Sequence, residues 1–406
     1  MKYLTILGST GYFGRNILSV ILTNPNLYKI KVLVAKHNVE LMIKQCILFN
    51  PDYAIMYKKS HAIILHNNLK NIGIKTKILF GKRKIIEITA LDDVDQIIIT
   101  IKSLIGLLYI KEAIKSSKVV LLTSIELLII IHSLLIKDIY RFKAKILPIN
   151  NSHSAIYELM PNSIQKQIGI CNLYKNDINS IILIGSGGLF LYLPIEKFKY
   201  IDIKSCITTS CLNYKNMINM STMISQGFEY IATKYLFNAQ KEQIEIIINP
   251  ESIIAAMVRL KNNSVNAKLN YPNIQVTIAS MLEWPYKINA DNKPVNFYDI
   301  QSLTFLKPDL IKYPCLKLAI EASYAGLSAF IILNAVNDIT TELCLKKKIS
   351  FIDIAHINSI ILDKLSFNKP KNIYEVLWID NYVRQYTHYF IKKKKYSNIY
   401  KMNIKY

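Results

Sequence analysis

Short runs of Ile, Val and Leu alternate with longer segments of mixed polarity through the first 150 residues, and polar or glycine-bearing stretches bound each run. Near-continuous apolar runs of strand length are what burial on both faces of a parallel sheet demands. Residues 2–7, 30–35, 53–56, 96–100, 119–123 and 144–149 are therefore predicted as six successive strands of an α/β, Rossmann-like domain over residues 1–150. The apolar stretch 119–136 approaches the length of a membrane span. Glu126 and His132 interrupt it and lysines flank it, so it is read as a buried strand followed by a buried helix, with no membrane partner.

Beyond residue 150 the pattern changes. A helical segment from Ser154 leads to an apolar strand at 180–184, then to Gly185-Ser186-Gly187-Gly188. Residues 198–220 carry little periodicity and are expected to form a mobile lid. A helix from Ser221 and strands at 244–248 and 274–277 complete an open-sheet α+β catalytic domain over residues 151–284. The Pro-, Asn- and Asp-rich stretch 285–311 reads as a linker, and 312–406 as a C-terminal helical bundle. Ser350-Phe351-Ile352-Asp353 has the form of a capping box, and Ile354, Ile357, Ile361 and Leu365 fall on one face of the helix it would start.

Composition changes this picture little. The 406 residues are 51% hydrophobic and 19% charged, which marks a globular chain. A formal charge of +23 would ordinarily suggest nucleic acid. Its lysines are dispersed, arginines are few, and the excess accompanies a surplus of Ile, Asn and Tyr, so no nucleic-acid partner is expected. The cluster Lys392-Lys393-Lys394-Lys395 reads as a solvated C-terminal end. Six cysteines without paired or metal-type spacing point to reduced, mostly buried thiols in a cytoplasmic compartment, and the first strand opens too early for a secretory signal.

Chemistry enters at the first strand. Gly8, Gly11 and Gly14, at three-residue spacing between a strand and a helix, allow a tight turn and close approach of a pyrophosphate to bare backbone at the helix N-terminus. The second strand ends in Lys36-His37-Asn38. An acidic residue there would hold the ribose 2′-hydroxyl of NAD, whereas these groups suit the 2′-phosphate of NADPH.

Several stretches carry a family resemblance across nearly the whole chain. They are Leu4-Thr5-Ile6-Leu7-Gly8-Ser9-Thr10-Gly11, Leu91-Asp92-Asp93-Val94-Asp95-Gln96, Gly185-Ser186-Gly187-Gly188, Gly227-Phe228-Glu229-Tyr230-Ile231, Leu236-Phe237-Asn238-Ala239, Met257-Val258-Arg259 and Tyr313-Pro314-Cys315-Leu316-Lys317-Leu318-Ala319. Together they resemble the 1-deoxy-D-xylulose 5-phosphate reductoisomerases, NADPH- and divalent-metal-dependent enzymes of non-mevalonate isoprenoid biosynthesis. The resemblance implies a homodimer, a sugar-phosphate substrate, and Mn2+ or Mg2+ beside NADPH. It places Gly8, Thr10, Gly11, Tyr12, Phe13, Lys36, His37, Asn38, Ser124 and Glu126 at the cofactor, and Ser186, Asn151, Ser225 and Gln226 at the substrate. Glu229, Ser186 and His153 are its catalytic candidates.

The same resemblance implies an Asp and a Glu, two residues apart, and a further Glu as metal ligands. Here these positions read Asn150, Ser152 and Glu229. The family's Asn-Lys-Glu-Ser reads Ser124-Ile125-Glu126-Leu127, its phosphate-binding Asn-Lys reads Ser225-Gln226, and the His and Trp of its lid fall near Ile207 and Ser210. A hard divalent cation favours anionic oxygens, so metal binding is expected to be weak or lost. Two functions stay open: a reductoisomerase with other groups filling these positions, and a non-catalytic descendant that keeps the fold and nucleotide binding as a structural or interaction protein.

Overall fold

The computed structural model describes residues 1–203, 214–290 and 292–395. Contacts divide the chain into two units. The first comprises Met1–Ile182, Tyr235–Glu245 and Ser252–Ser302; the second comprises Leu183–Lys234, Ile246–Glu251 and the chain from Leu303 onward.

The first unit is built on a seven-stranded parallel sheet: β1 (Lys2–Leu7), β2 (Tyr28–Ala35), β3 (Tyr53–Met56), β4 (Lys77–Phe80), β5 (Gln96–Ile99), β6 (Val119–Leu122) and β7 (Lys145–Pro148). Their order is β4-β3-β2-β1-β5-β6-β7. Burial on both faces explains the apolar runs: Ile97, Ile98, Ile99, Val120, Leu121 and Leu122 are all fully buried. The pattern predicts six strands and misses β4. That strand lies at the edge, and its residues are exposed or half-buried, so it lacks the continuous apolar signature of the others. The chain winds outward from β1 to β4 and resumes on the other side of β1 as β5. A crevice therefore opens at the carboxyl ends of β1 and β5, where ligands of such sheets bind. Residues 119–136 split as expected, into β6 and the helix Ile125–Leu134.

A second sheet has the order β11-β10-β8-β9, with β8 (Ile178–Gly185), β9 (Ile244–Ile248), β10 (Ile254–Leu260) and β11 (Val265–Leu269). The strand expected at 274–277 is instead the start of the helix Ile274–Leu282. Its β-branched residues favour a strand in isolation. Asn273 caps it by accepting from the Gln275 N–H at 2.9 Å, and Ile278, Met281 and Leu282 are fully buried in the core that includes Leu4, Ile6 and Leu33. Tertiary packing overrides local preference. The strand that pairs with β10 is β11, whose first residues are exposed and so give no apolar signal.

Glu158, on the helix Asn151–Leu159, is nearly buried between Lys268 and Lys287. Burial alone would raise its carboxyl, but hydrogen bonds from both ammonium groups, with their charges, hold it below the usual carboxylate range. A depressed carboxyl contributes stability above its unfolded pKa and loses it as pH falls through the folded value. Glu158→Gln is expected to lower stability by about 2 kcal/mol at neutral pH. In urea titrations the loss should shrink as the medium is acidified below about pH 4.

In the second unit the helices Pro314–Ala325, Leu327–Leu345, Phe351–Lys364 and Ile373–Lys395 form the expected bundle. The capping box forms as predicted: the Ser350 N–H donates to Asp353 Oδ2 at 2.8 Å, and the Asp353 N–H donates to Ser350 Oγ at 3.4 Å. Leu327–Leu345 is long and apolar enough to cross a membrane, but 78% of its apolar window is buried within the protein, as in a core helix. Cys46, Cys171, Cys315 and Cys344 are free and buried, and burial raises each thiol. Cys206, Cys211, Ile207, Ser210 and the centre of the expected lid lie outside the described residues.

Candidate functional site

In the first unit, the turn after β1 is shaped by what cannot fit into it. Gly8 has φ +93°, and a Cβ there would lie 2.3 Å from Thr100 Oγ1. The Thr100 hydroxyl, at the end of β5, lies 2.9 Å from Leu7 O and 3.1 Å from Gly8 O, close enough to donate to both. At Gly14 a Cβ would meet Gly8 O at 2.4 Å and Ser9 O at 2.5 Å, so the helix Tyr12–Leu22 packs directly on the turn. Gly11 caps that helix with no side-chain hydrogen bond, which leaves the N–H groups of the first turn available to an anion. Ser9 is buried. Its Oγ donates to Gln45 Oε1 at 2.8 Å, and Gln45 Nε2 returns a bond to Ser9 O at 2.9 Å. Thr100 and Gln45 were not readable as site residues, being single polar positions in otherwise apolar elements.

Thr10, Tyr12 and Phe13 follow from the same turn, with the two rings in edge contact at 5.5 Å and Tyr12 largely exposed. Lys36, His37 and Asn38 are exposed at the end of β2, and Asn38 also caps the helix Val39–Phe49 through the Leu41 N–H at 2.9 Å. Ser124 is buried at the end of β6. Its hydroxyl accepts from the Leu127 N–H at 3.2 Å and donates to Glu126 Oε2 at 2.6 Å, so both residues build the start of their helix.

After β7, Asn150 caps the helix Asn151–Leu159. Its Oδ1 accepts from the His153 N–H at 3.2 Å and lies 3.1 Å from His153 Nδ1. His153 is fully buried and Ser152 nearly so. Asn151 Oδ1 accepts from Thr277 Oγ1 at 2.6 Å, while Ser154 Oγ donates to Pro148 O at 2.7 Å and ties the turn together.

In the second unit, the loop Gly185-Ser186-Gly187-Gly188 follows β8. Gly187 and Gly188 have φ of +79° and +71°, and a Cβ on Gly188 would lie 2.4 Å from Ser221 Cα at the end of the helix Tyr214–Ser221. Tyr313 OH donates to Gly187 O at 3.0 Å, and the Leu189 N–H donates to Ser221 Oγ at 3.1 Å. Ser186 Oγ accepts from the Gly188 N–H at 3.3 Å, which gives this serine a structural task within the loop. Gln226, on the helix Ile224–Leu236, is buried against Gly185, and its Nε2 donates to Glu229 Oε2 at 3.0 Å. Ser225 Oγ donates to Asn219 O at 3.1 Å, and Asn219 Oδ1 accepts from Asn337 and Thr341. Ser186, Ser225, Gln226 and Glu229 thus share this unit.

The two implied cofactors fare differently. The turn Gly8 to Gly14 fits a dinucleotide: backbone free of Cβ atoms, an open helix N-terminus, and a position at the sheet's switch point. The donor set that the resemblance assigns to a divalent ion, Asn150, Ser152 and Glu229, holds a single carboxylate and fits such an ion poorly. Asn150 and Ser152 offer neutral oxygens, the Asn150 oxygen already accepts within its helix, and among the described residues no three His, Cys, Asp or Glu side chains gather as ligands.

Comparison with known proteins agrees with this architecture. The family description 1-deoxy-D-xylulose 5-phosphate reductoisomerase matches residues 4–131, and two descriptions of that enzyme's C-terminal domain match residues 146–237 and 269–386. The reductoisomerase of Buchnera aphidicola subsp. Schizaphis graminum is 41% identical over 95% of this chain and 97% of its own length. That of Baumannia cicadellinicola is 39% identical over 97% and 99% respectively. A crystal structure of a reductoisomerase in complex with NADPH, fosmidomycin and magnesium superposes with a TM-score of 0.89 at 31% identity, covering 97% of this chain and 99% of that one. With the relation running from the first strand through the helical bundle, this chain belongs to the 1-deoxy-D-xylulose 5-phosphate reductoisomerase family.

Proposed function

We propose that this chain acts as an NADPH-dependent reductoisomerase, converting 1-deoxy-D-xylulose 5-phosphate to 2-C-methyl-D-erythritol 4-phosphate, as a cytoplasmic homodimer. The observation that carries the reading is the intact turn Gly8 to Gly14, within a chain that its relatives match almost end to end. In this reading the helix Tyr12–Leu22 holds the pyrophosphate on its open N–H groups, and Lys36, His37 and Asn38 receive the 2′-phosphate. The bound NADPH supplies the hydride. On the substrate side, the Ser186 hydroxyl retains a proton to donate to a phosphate oxygen, and Ser225 and the Gln226 amide are neutral partners for the same group. Without a cation among these three, sugar-phosphate binding is weak, since hydrogen bonds to charged donors contribute about 1.5–3 kcal/mol each.

One observation favours a second reading, a nucleotide-binding descendant with little or no turnover. Asn150, Ser152 and Gln226, which the resemblance sets at the metal-ligand and phosphate-binding positions, are all neutral. The two readings separate in a pair of measurements on the purified chain. NADPH titration followed by fluorescence should show binding under either. Turnover of the sugar phosphate with NADPH and manganese should appear only under the first, and its complete absence in a chain that binds NADPH selects the second.

A further inference from the structure

β2 and β3 run parallel in register, Ala35 opposite Met56, and the Tyr57 N–H donates to Ala35 O at 3.0 Å. The segments that follow, Lys36-His37-Asn38 and Tyr57-Lys58-Lys59, therefore leave the sheet side by side. His61, in the first turn of the helix Lys59–Asn71, turns back onto the β2 segment. Its ring meets that of His37 edge to face at 5.7 Å, and its Nδ1 lies 3.3 Å from Lys36 O. β1 is the other neighbour of β2, and the N–H groups of Gly8 and Ser9 both donate to Val34 O, so this cluster lies beside the dinucleotide turn.

We propose that Lys58 and His61, contributed after β3, join Lys36 and His37 in a cradle that selects the 2′-phosphate of NADPH, with a proton taken up from solvent at His37 as the phosphate seats. The inference rests on the NADPH reading and deepens it. Sequence reasoning points only to the β2 segment, because an acidic residue or its absence is looked for there. The contribution from the next strand depends on pairing register.

The electrostatics fit such a role. Partial desolvation, followed by the charges of Lys36, Lys58 and His61, holds the His37 imidazole below its usual range. Nearby charges pair elsewhere: Glu40 bonds Lys44, Asp52 bonds Lys31, Lys59 lies over the Phe80 ring and Lys82 over the Tyr57 ring. A dianionic phosphate reverses the balance and favours imidazolium. NADPH affinity then rises as pH falls toward about 6, where the phosphate begins to take up its own proton. NADH, which lacks the phosphate, shows no such rise.

The test is calorimetric titration of the full chain with NADPH and with NADH between pH 6.5 and 8, in buffers of different ionisation enthalpy. For NADPH we expect Kd to tighten by up to about tenfold per pH unit, with net proton uptake, the limit for one linked proton. NADH should vary less than about twofold. His37→Lys should keep the preference for NADPH but flatten its pH dependence, and Lys58→Gln and His61→Gln should each weaken NADPH several-fold while sparing NADH. A pH-independent NADPH affinity, or an unchanged NADPH-to-NADH ratio in the Lys58 and His61 variants, overturns the proposal. If neither nucleotide binds, the nucleotide-binding reading fails and this inference falls with it.

Discussion

Gly14→Ala is expected to abolish detectable NADPH binding and to destabilise the first unit by about 3 kcal/mol, the upper end of the penalty for overpacking. The added methyl would lie 2.4–2.6 Å from Gly8 O, Ser9 O and Ser9 C. All three are backbone atoms of the turn that receives the pyrophosphate, so no side chain can swing away to make room. Helix propensity argues in the opposite direction, since Ala in a helix interior is favoured over Gly by about 1 kcal/mol. The steric effect should win. Gly11→Ala provides the internal control, because a Cβ there comes no closer than 3.3 Å to Gly8 O and needs only a small adjustment. Thermal melts with fluorescence titration read both variants. A Gly14→Ala protein that is more stable than the parent and still binds NADPH would show that this packing is looser than the distances indicate.

The double substitution Asn150→Asp, Ser152→Glu is expected to raise manganese affinity on the order of a hundredfold. Each added carboxylate near a dication is taken to contribute about 1.4 kcal/mol net of its own desolvation, a factor of about ten apiece. Asn150→Asp should be nearly free of folding penalty, because Asp and Asn are equivalent helix caps and either accepts from the His153 N–H. Ser152→Glu carries more risk, since Ser152 is only 6% exposed and the longer side chain must find room. The single Asn150→Asp variant, with about a tenfold gain expected, keeps the idea testable if the double variant folds poorly. Tight manganese binding by the unmodified chain, measured by calorimetry, would contradict this account of the site.

What the sequence disclosed and what it withheld follow a physical division. Strands buried on both faces announce themselves, and β1, β2, β3, β5, β6 and β7 are all legible as apolar runs. The exposed strands β4 and β11 are not, because their solvent-facing residues leave mixed polarity, and β10 is missed as well, its run broken by Ala255 and Ala256, residues of low strand preference. Ile274–Leu282 reads as a strand for a different reason: β-branched residues at the start of a largely buried helix imitate one. At the site, glycine spacing pointed to the turn after β1, and the geometry shows that Gly8 and Gly14 are required by contact with Thr100, Gly8 and Ser9. Gln45 and His61 were beyond reach. Their importance comes from partners far off in the chain, and a single polar residue on a helix carries no sign of which strand end it will meet.

The cap at Asn150 has a consequence for how a lineage can change. Its oxygen receives the same backbone N–H whether it belongs to an amide or a carboxylate, so the helix Asn151–Leu159 folds alike in both cases. The capping bond therefore does not distinguish the two; the charge that separates them does. A fold whose structural and chemical demands meet on one side chain can keep its architecture whichever of the two groups, neutral or charged, stands there.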